Sequence, residues 1–324
     1  MVSLDLPGGV DVRRVWTALD GRIAPTVLVA SERLDRALGH ELRVTLALEV
    51  FQHTGSFKFR AALAAALGSH APRLLTASSG NFGAALALAA ARTGKQCTVV
   101  MPDRSANVKI AAVRGYGASV DLVDTEQKTR AARLAELAAA DPEAESISPY
   151  DDPRVVAGNS TLGREILEQV PAQDCVVVPV GGGGLASGVV LARDLLGASC
   201  SVVGAEPVLA NDAARSLREG TVCVNDREPP TLCDGARTLS LGKLNYSILS
   251  SGLAGIVEVE EQNISRAVRM LFEAANVKAE PTGALALAAL LQDPARFAGK
   301  RAVCIVSGGN VDSALYTRLI AGMV

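Results

Sequence analysis

Residues 175–185 read Cys-Val-Val-Val-Pro-Val-Gly-Gly-Gly-Gly-Leu, and this stretch decides the fold class of the chain. Its first half is a short valine-rich run, which is typical of a strand that is buried on both faces. Four consecutive glycines follow, and segment 185–196 then has the composition of a helix. A buried strand that turns directly into a helix is the basic unit of an α/β fold with a parallel sheet.

The same alternation extends along the whole chain. Short apolar runs predict strands at 42–50, 73–78, 96–101, 118–123, 174–180, 200–205, 255–259 and 301–307. Longer segments, many of them rich in Ala and Leu, predict helices at 57–67, 81–93, 105–114, 126–140, 154–169, 185–196, 261–276, 281–292 and 311–322. Open parallel sheets covered by helices fit this order. Region 207–250 has little pattern and is predicted to form loops over a site.

Composition and charge narrow the class of protein. The 324 residues include 32 basic and 34 acidic side chains, for a net charge of −2, so nothing indicates a nucleic-acid or membrane partner. The N-terminal sequence MVSLDLPGGVDVRRVW lacks an apolar signal core, and the Ala-rich runs 61–67 and 84–91 are too short to span a bilayer. We therefore expect a cytoplasmic protein.

The cysteines and histidines do not form recognisable metal or redox motifs. Three histidines stand far apart, which disfavours a histidine metal site or a Ser-His-Asp triad. Buried free thiols in a reducing compartment best explain the six cysteines, none of which has ligand spacing. They are Cys97, Cys175, Cys200, Cys223, Cys233 and Cys304.

Lys58 lies in the segment Thr54-Gly55-Ser56-Phe57-Lys58-Phe59-Arg60, near a predicted helix start. Its aromatic neighbours favour partial desolvation, which disfavours the charged ammonium and yields an amine that can attack or form an imine. An ordinary surface lysine whose stem lies on apolar neighbours would have the same local sequence. The segment therefore needs support from elsewhere in the chain.

The glycine run 181–184 is a candidate phosphate site. Glycines let successive backbone N–H groups converge, and the following helix N-terminus adds positive potential. No Lys-Ser/Thr follows, which excludes a Walker loop, and the late position and spacing make a poor dinucleotide fingerprint. A merely flexible turn is the alternative.

Three further segments place polar groups beside predicted strands or helices. Segment Thr76–Gly83 clusters hydroxyls and an amide at a helix start, where a carboxylate would bind. Segment Cys304–Asn310 ends a buried strand in Ser-Gly-Gly-Asn, at the edge where open α/β sheets bind ligands. Segment Glu280–Gly283 opens a helix with Pro281 in its first turn. The alternative for each segment is a purely structural role, as a helix cap or as a turn at the end of a strand.

Taken together and in their order along the chain, these five segments resemble those of the fold-type II pyridoxal-phosphate enzymes, in particular the serine/threonine dehydratase and serine racemase branch. The resemblance covers the chain from about residue 22 to its end. It implies a tryptophan synthase β-like α/β fold with two open, mostly parallel sheets covered by helices. It also implies a large cofactor-binding domain of residues 1–72 and 150–324 and a small domain of residues 73–149.

The resemblance also implies a role for each motif around pyridoxal 5'-phosphate. Lys58 holds the cofactor through an imine and later moves the Cα proton, and Phe57 packs beside the ring. Asn81 hydrogen-bonds the ring hydroxyl, Ser307 faces the pyridine nitrogen, and Glu280 lies near the ring. The phosphate is cradled by Gly181, Gly182, Gly183, Gly184 and Leu185.

The substrate carboxylate is assigned by the same resemblance to Ser78, Ser79 and Asn81. Ser79 is also the candidate second catalytic residue, because racemases of this branch use a serine there as acid/base on the opposite ring face. We rank elimination of water and ammonia from a β-hydroxy amino acid, giving a 2-keto acid, ahead of racemisation. Serine-type racemisation with side β-elimination and a β-substitution synthase are the alternatives.

Two positions depart from the family pattern. Phe82 follows Asn81 where histidine is usual, and Gly158-Asn159-Ser160-Thr161 replaces the common Gly-Gln-Gly-Thr. Both segments border the substrate space in the family. Plain serine or threonine is therefore less favoured, and a bulkier or modified β-hydroxy amino acid, or a biosynthetic β-substitution, becomes the better candidate.

The segment Glu206-Pro207-Val208-Leu209-Ala210-Asn211-Asp212 resembles the divalent-cation site of the racemase branch. Glu206, the Ala210 carbonyl and Asp212 would supply oxygen ligands, as Mg²⁺ requires. Two solvated loop carboxylates are the alternative reading. By the same resemblance a homodimer that acts on a small-molecule amino acid is expected.

Overall fold

The structure is a computed structural model that describes residues 5–78, 80–105 and 107–324. The described strands are β1 (Asp5–Leu6), β2 (Val10–Asp11), β3 (Val27–Ala30), β4 (Arg43–Leu48), β5 (Arg73–Ala77), β6 (Gln96–Pro102), β7 (Ser119–Val123), β8 (Ala144–Ser146), β9 (Cys175–Pro179), β10 (Ser201–Pro207), β11 (Ile256–Val259) and β12 (Arg301–Val306).

The helices follow the same alternation along the chain. They are α1 (Val12–Leu19), α2 (Glu32–Leu38), α3 (Lys58–Gly68), α4 (Asn81–Arg92), α5 (Asn107–Gly115), α6 (Arg130–Ala140), α7 (Pro153–Gln169), α8 (Gly184–Leu196), α9 (Asp212–Glu219), α10 (Lys243–Gly252), α11 (Glu261–Ala275), α12 (Pro281–Gln292), α13 (Pro294–Phe297) and α14 (Ser313–Ile320). Short 3-10 turns occur at 7–9, 53–55, 208–210 and 234–236.

The larger sheet has six strands in the order β11-β10-β9-β12-β4-β3. All neighbours are parallel except β3, which runs antiparallel to β4 at one edge. Every residue of β9 is buried, as its uninterrupted apolar run predicts for a central parallel strand. Because β4, β12, β9 and β10 are parallel, their carboxyl ends lie at one edge of the sheet.

The smaller sheet has four parallel strands in the order β7-β6-β5-β8. A separate antiparallel pair, β1 and β2, lies near the N-terminus. The mostly parallel α/β fold predicted for a fold-type II enzyme is therefore confirmed. Among the residues that the structure describes, no helix is both long and apolar enough to cross a lipid bilayer.

The chain forms two compact units. The smaller unit contains residues 5–23 and Lys58–Gly158, and the larger unit contains Ala24–Phe57 and Asn159–Val324. The strands of the four-stranded sheet all lie within 73–149, whereas α1, α3 and the first turns of α7 belong to the smaller unit as well. These unit bounds differ from those of the predicted domains because the alanine-rich α3 packs on α4 within one apolar core.

Each unit has its own apolar core. In the larger unit, α12 is buried along residues 281–290 and packs against β9, β10 and β12. An Ala/Leu helix with apolar residues on all sides has no solvent face, so burial is its stable arrangement. The core of the smaller unit is built largely on the alanine faces of α3 and α4.

Every strand and helix predicted from the sequence is present, with bounds that differ by a few residues. The sequence missed the short strands β1, β2, β3 and β8, which have only two to four residues each. It also missed α1, α2, α9, α10 and α13. Region 207–250 was predicted as loops, and this was wrong in part because α9 and α10 form there.

The prediction of buried free thiols is confirmed. All six cysteines are buried and none forms a disulfide. Burial raises the pKa of the Cys97 thiol to about 12 and that of Cys175 to about 11. A thiol that stays protonated at neutral pH is a poor nucleophile and a poor metal ligand.

Candidate active site

The glycine turn after β9 presents a row of unused hydrogen-bond donors. Among the described residues, no group accepts a hydrogen bond from the backbone N–H groups of Gly181 through Leu185. The first turn of α8 begins at Gly184, so its N–H groups also carry the positive end of the helix dipole. Unpaired N–H donors at a helix start suit a phosphate group.

Close packing makes glycine necessary at this turn. Gly183 has φ of 91°, which a residue with a side chain rarely adopts, and a Cβ there would lie 2.8 Å from Cβ of Asn245. A Cβ at Gly181 would lie 3.0 Å from the carbonyl oxygen of Gly235. The carbonyl of Gly182 is held from the other side, since Asn245 Nδ2 donates to it over 2.7 Å. The turn is therefore fixed rather than merely flexible.

Strand β12, the neighbour of β9 in the sheet, is followed by Ser307, beside the glycine turn. Because β12 pairs with β9 in parallel, both carboxyl ends lie at the same sheet edge. Ser307 is buried, and its hydroxyl makes no hydrogen bond within the described part of the chain. Its carbonyl accepts a hydrogen bond of 3.0 Å from the Phe57 N–H. The structure thus brings Phe57 and Ser307 together within the larger unit.

Glu280 joins this group at the start of α12. Its N–H donates to the carbonyl of Gly308 over 3.1 Å, and a Cβ at Gly308 would lie 2.8 Å from its Oε1. Gly283 packs as closely, since its Cβ would lie 2.3 Å from the Gly308 oxygen. The predicted ring-facing residues Phe57, Glu280 and Ser307 are therefore neighbours.

Lys58 is the first residue of α3, in the smaller unit, and is half-buried. Its Nζ donates to the carbonyl of Pro149 over 2.9 Å and lies 5.7 Å from the centroid of the Phe82 ring. A carbonyl oxygen and an aromatic face both attract an ammonium group. They hold the Lys58 amine at a defined place beside the first turn of α4.

The loop before α4 lies in the same unit. Asn81 is the first residue of α4, and the Ser78 Oγ accepts hydrogen bonds from the N–H groups of Gly80 at 3.4 Å and Gly83 at 3.2 Å. Ser78 thus takes part in capping, and its hydroxyl donates no hydrogen bond to any described residue. Ser79, the candidate second catalytic residue, lies outside the described residues.

The two carboxylates of the candidate cation segment are completely buried, Glu206 near the end of β10 and Asp212 at the start of α9. Glu206 accepts hydrogen bonds from the N–H groups of Ala213 at 3.0 Å and Ala214 at 2.9 Å. Burial raises the pKa of Glu206 well above its ordinary value, and the negative charge of Asp212 raises it further. Burial likewise raises the pKa of Asp212 to about 7. Solvated loop carboxylates are therefore excluded.

Unused oxygen atoms remain beside these carboxylates. Asp212 Oδ2 is buried and has no hydrogen-bond donor among residues 5–78, 80–105 and 107–324. In the same described ranges, no donor binds the Ala210 carbonyl, because the Ala214 N–H binds Glu206 instead. This oxygen set fits a hard divalent cation.

Three contacts of the site have no signal in the sequence. The Pro149 carbonyl binds Lys58, Asn245 holds the Gly182 carbonyl, and Asn225 Nδ2 donates to Asp212 Oδ1 over 2.9 Å. A main-chain carbonyl is the same in every residue, and asparagines are common in loops. Such groups are recognised only when the fold brings them to a partner.

The fold and the site define a class of protein. In the larger unit, parallel strands that end in a glycine turn whose N–H groups have no acceptor among the described residues, next to a buried serine at the adjacent strand end, are typical of an α/β enzyme that binds a phosphorylated cofactor. Residues 19–308 match the family described as pyridoxal-phosphate dependent enzyme. The chain belongs to this family, and pyridoxal phosphate is its cofactor.

Known proteins similar to this chain support the assignment. An L-threo-3-hydroxyaspartate ammonia-lyase of Saccharomyces cerevisiae is 36% identical over 301 residues, which cover 92% of this chain and 91% of that protein. A serine racemase of Schizosaccharomyces pombe is 36% identical over 280 residues, covering 84% and 85%. The crystal structure of a T.th. threonine deaminase has a TM-score of 0.88 at 38% identity, covering 93% and 97%.

Proposed function

We propose that this enzyme is an ammonia-lyase whose substrate is a β-hydroxy amino acid larger than serine, with L-threo-3-hydroxyaspartate as the first candidate. The similarity to the yeast hydroxyaspartate enzyme along 92% of the chain carries this choice. Phe82, buried at 1% exposure beside Lys58, supports it because the family usually has histidine at this position. An altered side chain next to the reactive amine favours an altered substrate.

Separate residues would bind the cofactor, move the Cα proton and bind the substrate carboxylate. Gly181 through Leu185 would bind the cofactor phosphate through their N–H groups, which have no acceptor among the described residues. Bound pyridoxal phosphate supplies an electron sink for the amino acid. Lys58 would hold the cofactor until the substrate amine displaces it, and the freed Nζ amine would then accept the Cα proton. Ser78 and Asn81 bind the substrate carboxylate, and Ser79 is assigned to the same group.

Ser307 supports elimination over slower chemistry. A neutral Ser307 hydroxyl as the partner of the pyridine nitrogen would leave the ring a weaker electron sink than a carboxylate partner would. The β-hydroxyl would take up a proton and leave as water. The enamine product would be released and hydrolysed by water to a 2-keto acid and ammonia.

The experiment compares two lysines of the smaller unit. Lys58→Ala should abolish both the visible absorbance of lysine-bound cofactor and keto-acid formation from 3-hydroxyaspartate. Lys95→Ala is the matched control, since Lys95 also donates to main-chain carbonyls, those of Ser69 and Ala71, yet has no assigned role. A Lys58→Ala enzyme that retained the absorbance band and turnover would refute the proposal.

Racemisation is the second candidate, because the fission-yeast serine racemase is also 36% identical to this chain, over 84% of its length. Ser79 would be the acid/base on the opposite face. Incubation with L-serine and with 3-hydroxyaspartate, followed by keto-acid and chiral amino-acid assays, distinguishes the two. D-serine that accumulates faster than any keto acid would reverse our ranking.

A divalent cation is proposed at Glu206, the Ala210 carbonyl and Asp212. The support is chemical: two buried carboxylates repel each other, and the unused oxygens of Asp212 and Ala210 have no other donor within the described ranges. A cation would neutralise this charge. Mg²⁺ and Ca²⁺ both accept such all-oxygen sets.

We also propose a homodimer in the cytoplasm. Val224 and Leu239 are exposed at 60% and 48%, and the backbone pair Asn225–Leu239 brings them to one surface of the larger unit. An apolar surface of this kind favours association. Sedimentation at several protein concentrations tests the dimer. Six reduced, buried cysteines suit a reducing compartment.

A further inference from the structure

The segment 52–57, here called the anchor loop, joins strand β4 to Lys58 and is held in place by the end of β12. Its residues belong to the larger unit, and Lys58 follows Phe57 directly in the chain. Ser56 pairs with Gly308 in an isolated antiparallel bridge. The position of the Lys58 backbone therefore begins from a loop that is hydrogen-bonded to the Ser307 strand end.

Thr54, in the middle of the anchor loop, has a strained backbone. Its φ of 67° lies in the left-handed region, where a β-branched residue is rare. Its own side chain does not compensate, since within the described residues the buried Thr54 Oγ1 has no hydrogen-bond partner. Such strain persists only where surrounding contacts overdetermine the conformation, and it is typical of functional sites.

Asn310 supplies the contact that bears directly on Thr54. Its Nδ2 donates to the Thr54 carbonyl over 2.7 Å. Its amide also covers the next residue, because a Cβ at Gly55 would lie 2.5 Å from Asn310 Oδ1. Gly55 itself has φ of 73°, so two successive residues of the loop are left-handed. One side chain thus caps both unusual conformations.

Backbone hydrogen bonds continue the attachment on both sides of this contact. The Gly309 N–H donates to the Gly55 carbonyl over 3.0 Å, and the Phe57 N–H donates to the Ser307 carbonyl over 3.0 Å. The anchor loop is therefore hydrogen-bonded at three positions to residues that follow β12, namely Ser307, Gly309 and Asn310. The Asn310 side chain is the member of this set that a substitution can remove.

We propose that Asn310 is a positioning residue of the reaction, which holds Thr54 in its left-handed conformation and thereby fixes the backbone that carries Lys58. This rests on the proposed role of Lys58 as the cofactor lysine. Without the Asn310 donor, Thr54 relaxes to a negative φ, and the chain direction through Phe57 changes. Lys58 then starts from the wrong place, although no group that touches the cofactor has been removed.

The experiment combines two readouts. Hydrogen exchange of the Phe57 amide in the cofactor-free protein reports the anchor loop without any use of the cofactor or substrate. The pH midpoint of the lysine-bound cofactor absorbance and kcat/KM report Lys58 in the loaded enzyme. The variants are Asn310→Ala and Asn310→Asp, which keeps the shape and removes the donor. Asn263→Ala, which loses a 2.7 Å hydrogen bond to Gln292 elsewhere in the larger unit, is the matched control.

Both Asn310 variants should accelerate exchange at Phe57, shift the absorbance midpoint and lower kcat/KM by about 10- to 100-fold, the range for a misplaced catalytic group. Asn263→Ala should change none of these. Thr54→Gly in the Asn310→Ala background should recover at least about tenfold of the loss, because glycine takes a positive φ without strain. This rescue separates positioning from general destabilisation.

Two outcomes would overturn the proposal. Unchanged Phe57 exchange in a folded Asn310→Asp protein would show that the side chain does not hold the loop. A loss of activity in Asn310→Ala that Thr54→Gly leaves untouched would show that the strained residue is not the link. A failure of the proposed function is distinguishable, since wild-type protein would then show no lysine-bound absorbance while the Phe57 exchange still responded to Asn310.

Discussion

Gly183→Ala tests whether the glycine turn is a built phosphate site. The new methyl group would meet Cβ of Asn245 at 2.8 Å and Cδ2 of Leu241 at 2.9 Å, on a backbone whose φ is 91°. The end of the Leu241 side chain can move aside. Asn245 cannot move cheaply, since its amide is bound to the Gly182 carbonyl.

The expected magnitude follows from two costs. A left-handed backbone costs an alanine about 1–2 kcal/mol relative to glycine. Overpacking against a fixed neighbour adds about 1–3 kcal/mol. The free energy of unfolding should therefore fall by about 2–5 kcal/mol. Because the N–H groups of the turn would shift, the affinity for pyridoxal phosphate should fall as well.

Gly197→Ala is the matched control at the other end of the same helix. Gly197 also has a positive φ, of 65°, but a Cβ there would meet no atom within 4 Å. The free energy of unfolding of Gly197→Ala should fall by the backbone cost alone, about 1–2 kcal/mol, and its affinity for pyridoxal phosphate should not change. Urea unfolding of the cofactor-free proteins measures the first quantity, and titration with pyridoxal phosphate measures the second.

One pattern of results would refute the reasoning. If Gly183→Ala were no less stable than Gly197→Ala, the close contact with Asn245 would not constrain the turn. If it also bound pyridoxal phosphate as tightly as the wild-type protein, the free N–H groups of residues 181–185 would not be the phosphate site.

Two further predictions concern carboxylates of the larger unit. Arg301 lowers the pKa of Asp174 from 3.8 to about 2, so this pair stabilises the fold above about pH 4 and the contribution is lost as the pH falls towards 2. Asp174→Asn should lower the urea midpoint at neutral pH and lower it much less in strong acid; an equal effect at both would contradict the pairing. Ca²⁺ or Mg²⁺ should raise the melting temperature of the wild-type and Asp174→Asn proteins but not of Asp212→Asn, by mass action on the folded state. A rise in Asp212→Asn as large as in the wild type would rule out the proposed ligand.

The central strands and helices could be predicted from local sequence because the composition of each segment favours one secondary structure. The valine run of β9, the glycines that follow it and the Ala/Leu helix α12 each have a composition that few other structures tolerate. Short elements escaped prediction because their stability comes from partners. Helix α10, for example, packs on α8 so closely that a Cβ at Gly252 would lie 2.4 Å from Val190.

The same distinction holds for the site. The glycine run and Ser307 each follow a buried strand, and Lys58 begins a helix, so their positions can be predicted from the sequence alone. The carbonyl of Pro149 beside Lys58 has none, and the left-handed φ of Thr54 runs against the preference of a β-branched residue. Compact-unit bounds were equally hidden, since α3 carries apolar alanines that could pack on either side.

The sequence by itself predicted the fold class, because strand and helix periodicity and glycine placement are local properties, and its resemblance to a known family implied the cofactor. Only the tertiary structure decided that the Glu206 and Asp212 carboxylates are both buried, that no described residue accepts a hydrogen bond from the N–H groups of residues 181–185, and that Asn310 donates to the carbonyl of the left-handed Thr54. These features depend on contacts between residues far apart in the chain, and burial and hydrogen-bond satisfaction exist only once those contacts have formed.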